Sequence, residues 1–115
     1  CYRAQSIKTT NLIAEKLGLA KEKYSYSFQS RLGPVQWLLP YTDKVLTELP
    51  SMGKTKLCVV TPSFTTDCLE TLEEIAIEGK QSFLNSGGKH FTYVSCLNDF
   101  DSWVTSSSHL VQDAL

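Results

Sequence analysis

Three glutamates, Glu70, Glu74 and Glu78, recur at i, i+4 and i+8 in the run Asp67-Cys68-Leu69-Glu70-Thr71-Leu72-Glu73-Glu74-Ile75-Ala76-Ile77-Glu78. On an α-helix each such step drifts by only about 40°, so the carboxylates form one ridge. A wider π-type turn would alter that drift and can bring the groups into better register. Like charges at this spacing repel by a few tenths of a kcal/mol per pair. Three in series break the local rules of helix design, and such breaks gather at functional sites. Oxygen ligands in a row suit divalent cations. A carboxylate ladder can pass a metal ion inward and take up protons released as the metal binds its final ligand. The plainer alternative is a solvated acidic face whose first turn favours the helix dipole. Glu70 fits that alternative, whereas Glu78, deep in the helix, gains nothing from the dipole.

A second group lies in Phe28-Gln29-Ser30-Arg31-Leu32-Gly33-Pro34-Val35-Gln36-Trp37-Leu38. A flat ligand with acidic substituents would use this mixture, with Trp37 and Leu38 against its face and Arg31 on a carboxylate. The alternative is a structured loop anchored by Trp37. No Ser-His-Asp or Cys-His arrangement is evident, and His90 and His109 read as surface residues. Gly87-Gly88 ends a helix instead of opening one, which argues against a phosphate loop. The cysteines at 1, 58, 68 and 96 show no CxxC spacing. They read as reduced thiols, with Cys58 and Cys96 as small buried core residues.

These residues need elements to hold them. Ile7, Leu12, Ile13 and Leu17 recur at helical spacing over residues 2–17, with Gly18 as the C-terminal cap. Tyr24-Ser25-Tyr26-Ser27-Phe28 alternates like a strand. A helix opening at Thr42 or Asp43 must end near Pro50. Leu57-Cys58-Val59-Val60 reads as a strand buried on both faces, the mark of a parallel sheet covered by helices. Asp67 caps a long helix over residues 67–84, with Glu70 three residues on as in a capping box. Residues 91–96 form a third strand, and a weak last helix covers residues 101–111. The order α-β-α-β-α-β-α predicts an α/β fold, a three-layer α/β/α arrangement on a parallel sheet. Ligands bind such folds beyond the C-terminal strand ends. Here those ends are residues 29–31, 61–67 and 97–99.

The 115 residues are one domain's length, and 42% hydrophobic with 20% charged residues is an ordinary globular composition. That excludes disorder and collagen-like repeats. No apolar run approaches the roughly 20 residues that span a bilayer, and no signal peptide is expected. A net charge of −1 predicts no nucleic-acid partner. The charge is unevenly spread: residues 1–56 hold nine Lys and Arg against four Asp and Glu, and residues 57–115 hold two against eight. Interleaved surface residues would explain this, as would a site with an anion-binding and a cation-binding wall.

At these residues the sequence resembles the ferrochelatases, enzymes that insert iron(II) into a porphyrin to make haem. The resemblance spans nearly the whole chain. It rests on Ala14-Glu15-Lys16-Leu17-Gly18-Leu19, Phe28-Gln29-Ser30-Arg31-Leu32-Gly33 with Trp37-Leu38, Pro40-Tyr41-Thr42-Asp43, Asp67-Cys68-Leu69-Glu70-Thr71-Leu72-Glu73-Glu74-Ile75, and Cys96-Leu97-Asn98. It implies a chelatase-like fold of two similar α/β domains with porphyrin between them, residues 1–115 matching part of the C-terminal domain. It implies that Glu70 is catalytic, binding the metal or handling pyrrole protons, and that Glu74 and Glu78 continue the metal path. It implies that Gln29, Ser30, Arg31 and Trp37 lie near the porphyrin. The family's partner histidine stands in a strand and loop ahead of the matched segment, and neither His90 nor His109 corresponds to it.

The implied partners are porphyrin, ferrous iron and the N-terminal domain of the same protein, with peripheral membrane contact in the whole enzyme. Iron and porphyrin are both substrates, and no separate cofactor is required. The iron–sulfur subclass finds no support, because the cysteines are unclustered. A cytoplasmic location is expected. A porphyrin must lose two pyrrole protons to take up a dication, and a carboxylate whose basicity is raised by desolvation and neighbouring carboxylates can accept one. Without the family's preceding strand, the sheet is expected to expose an edge, so that the chain rearranges or self-associates and is inactive alone. Two alternatives stand beside this: a small single-domain chelatase acting as a homodimer, and a non-catalytic tetrapyrrole- or metal-binding module.

Overall fold

The computed structural model describes residues 1–29, 33 and 36–115. Helix α1 (Tyr2–Lys16) stops where expected, with Leu17 as its last α-conformed residue. Gly18 then takes a φ of +65°, and the Leu19 N–H returns to the Ala14 carbonyl at 2.9 Å. The alternating aromatic run does not become a strand. Only Phe28 pairs, in a single parallel bridge with Tyr41 made by Phe28 N–H to Pro40 O at 2.9 Å and Thr42 N–H to Phe28 O at 3.0 Å. The alternation was instead a packing pattern: Tyr2 and Tyr26 lie against the buried Phe28 ring at centroid distances of 6.5 and 5.9 Å.

Helix α2 (Thr42–Glu48) runs into a 3₁₀ turn at Leu49–Met52, so Pro50 ends the α-helix as its missing N–H requires. Strand β1 (Lys56–Val59) then pairs in parallel with β2 (His90–Tyr93), in the register Leu57 to Phe91 and Val59 to Tyr93. Both strands alternate half-buried with exposed residues. This corrects the expectation of a strand buried on both faces, and Cys58 is exposed whereas Cys96 is buried as expected. Among the described residues the sheet has two strands. Its covered face carries Leu57, Val59, Phe91 and Tyr93, and Phe83 packs on Phe91 at 5.8 Å. The α/β class with a parallel sheet stands.

The long acidic helix is three pieces: α3 (Leu69–Leu72), a π-helical segment (Glu74–Gly79) and α4 (Lys80–Asn85). The wider turn shows in the Glu78 N–H, which reaches the Glu73 carbonyl five residues back at 2.9 Å. Gly79 explains how this bulged segment packs. A Cβ there would lie 2.9 Å from Leu46 Cδ1 and 3.0 Å from the Glu74 carbonyl oxygen, so only glycine lets α2 approach. Leu46, Ile75 and the fully buried Phe83 form the core between α2, the π-helical segment, α4 and β2. The last helix, α5 (Asp101–Ala114), runs past its expected end. Its Ser106 and Ser108 hydroxyls donate to the Ser102 and Val104 carbonyls at 2.8 and 2.9 Å, so the serines are satisfied within the helix.

Candidate functional site

Both strands point their C-terminal ends at the start of α3, where doubly wound folds bind ligands. The chain leaving β1 turns at Thr61, whose carbonyl accepts from Phe64 N–H at 2.9 Å. The chain leaving β2 turns at Asn98, a non-glycine residue held at a φ of +48°. Asparagine tolerates that region better than most residues. The two loops are tied together by Asn98 N–H to Thr65 O at 2.9 Å and by Asp67 N–H to Asn98 Oδ1 at 2.8 Å.

Asp67 is the centre of this joint. Its Oδ1 accepts from the Tyr93 hydroxyl at 2.8 Å and the Thr71 hydroxyl at 2.9 Å. Its Oδ2 accepts from the Asn98 amide at 2.8 Å and the Cys96 backbone N–H at 3.2 Å. The Asn98 amide, with the Tyr93 and Thr71 hydroxyls and the Cys96 N–H, outweighs desolvation and holds this carboxyl far below the usual carboxylate range. Desolvation pushes the Tyr93 phenol up to about 12, with Cys96 and Asp67 adding to it and the Thr61 and Thr71 hydroxyls opposing, so it stays protonated and donates. The Tyr93 oxygen in turn lies 3.1 Å from the Thr61 hydroxyl, which lies 3.4 Å from Cys96 Sγ.

The expected cap is corrected by one residue. Cys68, not Asp67, is the N-cap of α3, and its box partner is Thr71 instead of Glu70. The Cys68 N–H donates to Thr71 Oγ1 at 3.0 Å, while the Thr71 N–H points back to the Cys68 side chain. Asp67 is thereby free to bridge to β2. This frees Glu70 as well. It is half-buried in the first turn, and its carboxyl lies below its ordinary value, first because the Cys68 thiol donates to it and then because its own backbone N–H does. At Glu70, hydrogen-bond donors at the helix start outweigh desolvation.

Of the other expected site residues, Gln29 reaches the same place, its side-chain amide donating to the Glu70 carbonyl at 2.8 Å. Trp37 is 41% exposed. Glu74 and Glu78 are exposed on the π-helical segment. Among the described residues no group of three His, Cys, Asp or Glu side chains stands ready to hold a metal ion. Ser30 and Arg31 lie outside the described residues. The sequence pattern marks Asn98 only as part of a strand-end loop and Asp67 only as a cap, and does not single out Tyr93 or Thr71. The available signal was positional: Asp67 and Asn98 both sit in loops at the C-terminal strand ends.

Fold and site define an α/β protein with an ionised carboxylate and a trailing acidic, π-bulged helix at the ends of parallel strands. The ferrochelatase family model matches residues 1–115. The ferrochelatase of Polaromonas sp. is 50% identical over 105 residues, which cover 91% of this chain and 29% of that protein. Those of Ectopseudomonas mendocina and Pseudomonas aeruginosa strain LESB58 are each 46% identical, over 114 and 104 residues, covering 99% and 90% of this chain and 34% and 31% of those proteins. The chain belongs to the ferrochelatase family. It spans about a third of the length of the curated relatives it matches.

Proposed function

We propose that this chain supplies the glutamate-bearing part of a site that inserts ferrous iron into a porphyrin, proto- or coproporphyrin, in haem biosynthesis. The observation that carries the reading is Glu70: an ionised, half-buried carboxylate at the helix start, beyond both strand ends, in a family member. Insertion replaces two pyrrole N–H protons by one metal dication, so the site must accept a cation and release two protons. Glu70, held as a carboxylate, is suited to meet the incoming ion, and its proton-accepting part begins once metal and porphyrin displace the donors around it. Glu74 and Glu78, exposed along the same helical stretch, offer oxygen ligands to the hydrated ion before it arrives. Gln29 ties the porphyrin-facing loop to the glutamate's own backbone, and Ser30, Arg31 and Trp37 complete the porphyrin side of the reading.

The remainder of a full-length polypeptide is the first partner in this reading, and no organic cofactor enters it. The isolated chain is inactive in this reading, and the whole enzyme works in the cytoplasm with peripheral membrane contact. Zinc insertion into a porphyrin, followed by fluorescence in a full-length polypeptide carrying this chain, tests it. Glu70→Gln is expected to lower turnover by roughly 10²- to 10⁴-fold, the usual worth of a positioned proton acceptor. Undiminished turnover in that variant overturns the assignment. Turnover by the isolated chain would favour the small stand-alone chelatase instead.

A further inference from the structure

We infer that Asp67 is a positioning residue for this site: its carboxylate locks the first turn of α3, and with it Glu70, to the ends of both strands. The inference rests on the reading of Glu70 given above. Three kinds of contact carry it. Through Thr71, Asp67 grips the helix two residues from where α3 begins, and Thr71 is fully buried. Through Tyr93 it holds the last residue of β2, and through the Cys96 N–H and Asn98 it holds the loop beyond. The Tyr93 hydroxyl then joins Thr61, just past β1, so one carboxylate collects the helix and both strand ends. The Asn98 amide closes the arrangement from both sides, donating to Asp67 Oδ2 and accepting from the Asp67 N–H.

The chemistry of the four donors explains why a carboxylate fits. Around Oδ2 both partners are fixed donors, a backbone N–H and an amide whose oxygen is already engaged. Around Oδ1 both partners are hydroxyls, which can turn and accept instead. Asparagine can therefore replace Asp67 with its oxygen at Oδ2 and its NH₂ facing Tyr93 and Thr71. Alanine removes the acceptor that all four donors share, although the Thr71 hydroxyl keeps the Cys68 carbonyl at 3.1 Å and the Tyr93 hydroxyl can turn to Thr61. Because a displacement of about 1 Å can cost on the order of 10²-fold in rate, loosening this joint should act on turnover before it acts on binding.

The test uses the full-length polypeptide, zinc insertion for turnover, and fluorescence quenching for porphyrin affinity. Asp67→Ala should lower kcat on the order of 10²-fold while porphyrin Kd stays within about twofold. Asp67→Asn should recover most of that loss, and Tyr93→Phe, which removes one donor, should lower kcat by about tenfold or less. Should Asp67→Ala fail to fold, the asparagine and phenylalanine variants decide. Folded Asp67→Asn and Tyr93→Phe proteins whose losses lie entirely in porphyrin Kd would overturn the inference. So would a folded Asp67→Ala protein with parental kcat. Glu70→Gln separates the two claims. If it abolishes turnover while folded Asp67 and Tyr93 variants keep it, only the positioning role fails. If it leaves turnover intact, the reading of the site fails and the positioning role with it.

Discussion

The joint at the strand ends and the last helix, α5, are built from similar residue types to opposite effect. Both are rich in Ser, Thr and short polar residues mixed with apolar ones. At the joint, Thr61, Asp67, Thr71, Tyr93 and Asn98 bond across distances of up to 32 residues in sequence, and the core residues Ile75 and Phe83 lie on the same stretch of helix. In α5 the side-chain hydrogen bonds run four residues back within the helix, and Val104, Leu110 and Val111 are exposed. Ser107, on the same helix, has a hydroxyl removed from water and without a hydrogen-bond partner among the described residues. The contrast teaches that polar residues fix tertiary structure only when their partners are distant in sequence. Local partners satisfy individual hydroxyls without tying a helix to distant parts of the chain.

Substitutions can break or sharpen that contrast. Phe83→Ala should have the largest effect, about 3–5 kcal/mol by urea unfolding, because the ring is fully buried between α4 and β2. A cost well under about 1 kcal/mol would mean that this region is no better packed than α5. Gly79→Ala should follow at about 1–3 kcal/mol, since the added methyl meets Leu46 and the Glu74 carbonyl.

A pH series tests the joint's electrostatics. Asp67 has a lowered folded-state pKa, so its ionised form stabilises the fold above the ordinary carboxylate range, and that stabilisation fades as pH falls through the lowered value. The parent should therefore exceed Asp67→Asn in stability by a constant margin from pH 7 to about 5, and the margin should shrink below about pH 4. A margin that instead grew on acidification would contradict the donor count around Asp67. The smallest effect belongs to α5, where Val111→Ser should shift stability by no more than about 0.5 kcal/mol. A larger shift would show that another surface covers that face.

Much of this was legible in the sequence because it depends on neighbours. The end of α1 at Gly18, the α2 stop at Pro50, the two strands and the buried Cys96 all follow from local propensity and short-range pattern. The Glu70-Glu74-Glu78 spacing was visible, as was the relevance of a π-type turn to it. The misreadings share a cause. Residues 24–28 alternate like a strand, but pairing needs a partner ladder, and beyond the Phe28–Tyr41 bridge they have none among the described residues. Residues 57–60 are apolar enough for two buried faces, but burial depends on what covers them. The carboxylates that neighbour Glu70 in sequence do not set its pKa, on which the Cys68 thiol has the largest effect.

Sequence alone therefore determined the class of fold, the acidic row and the family, because each is written in residue types and spacings along the chain. Tertiary structure alone decided that Asp67 meets Tyr93, Cys96 and Asn98 at the strand ends. That meeting depends on donors 26, 29 and 31 positions away from one carboxylate, and no local pattern encodes it.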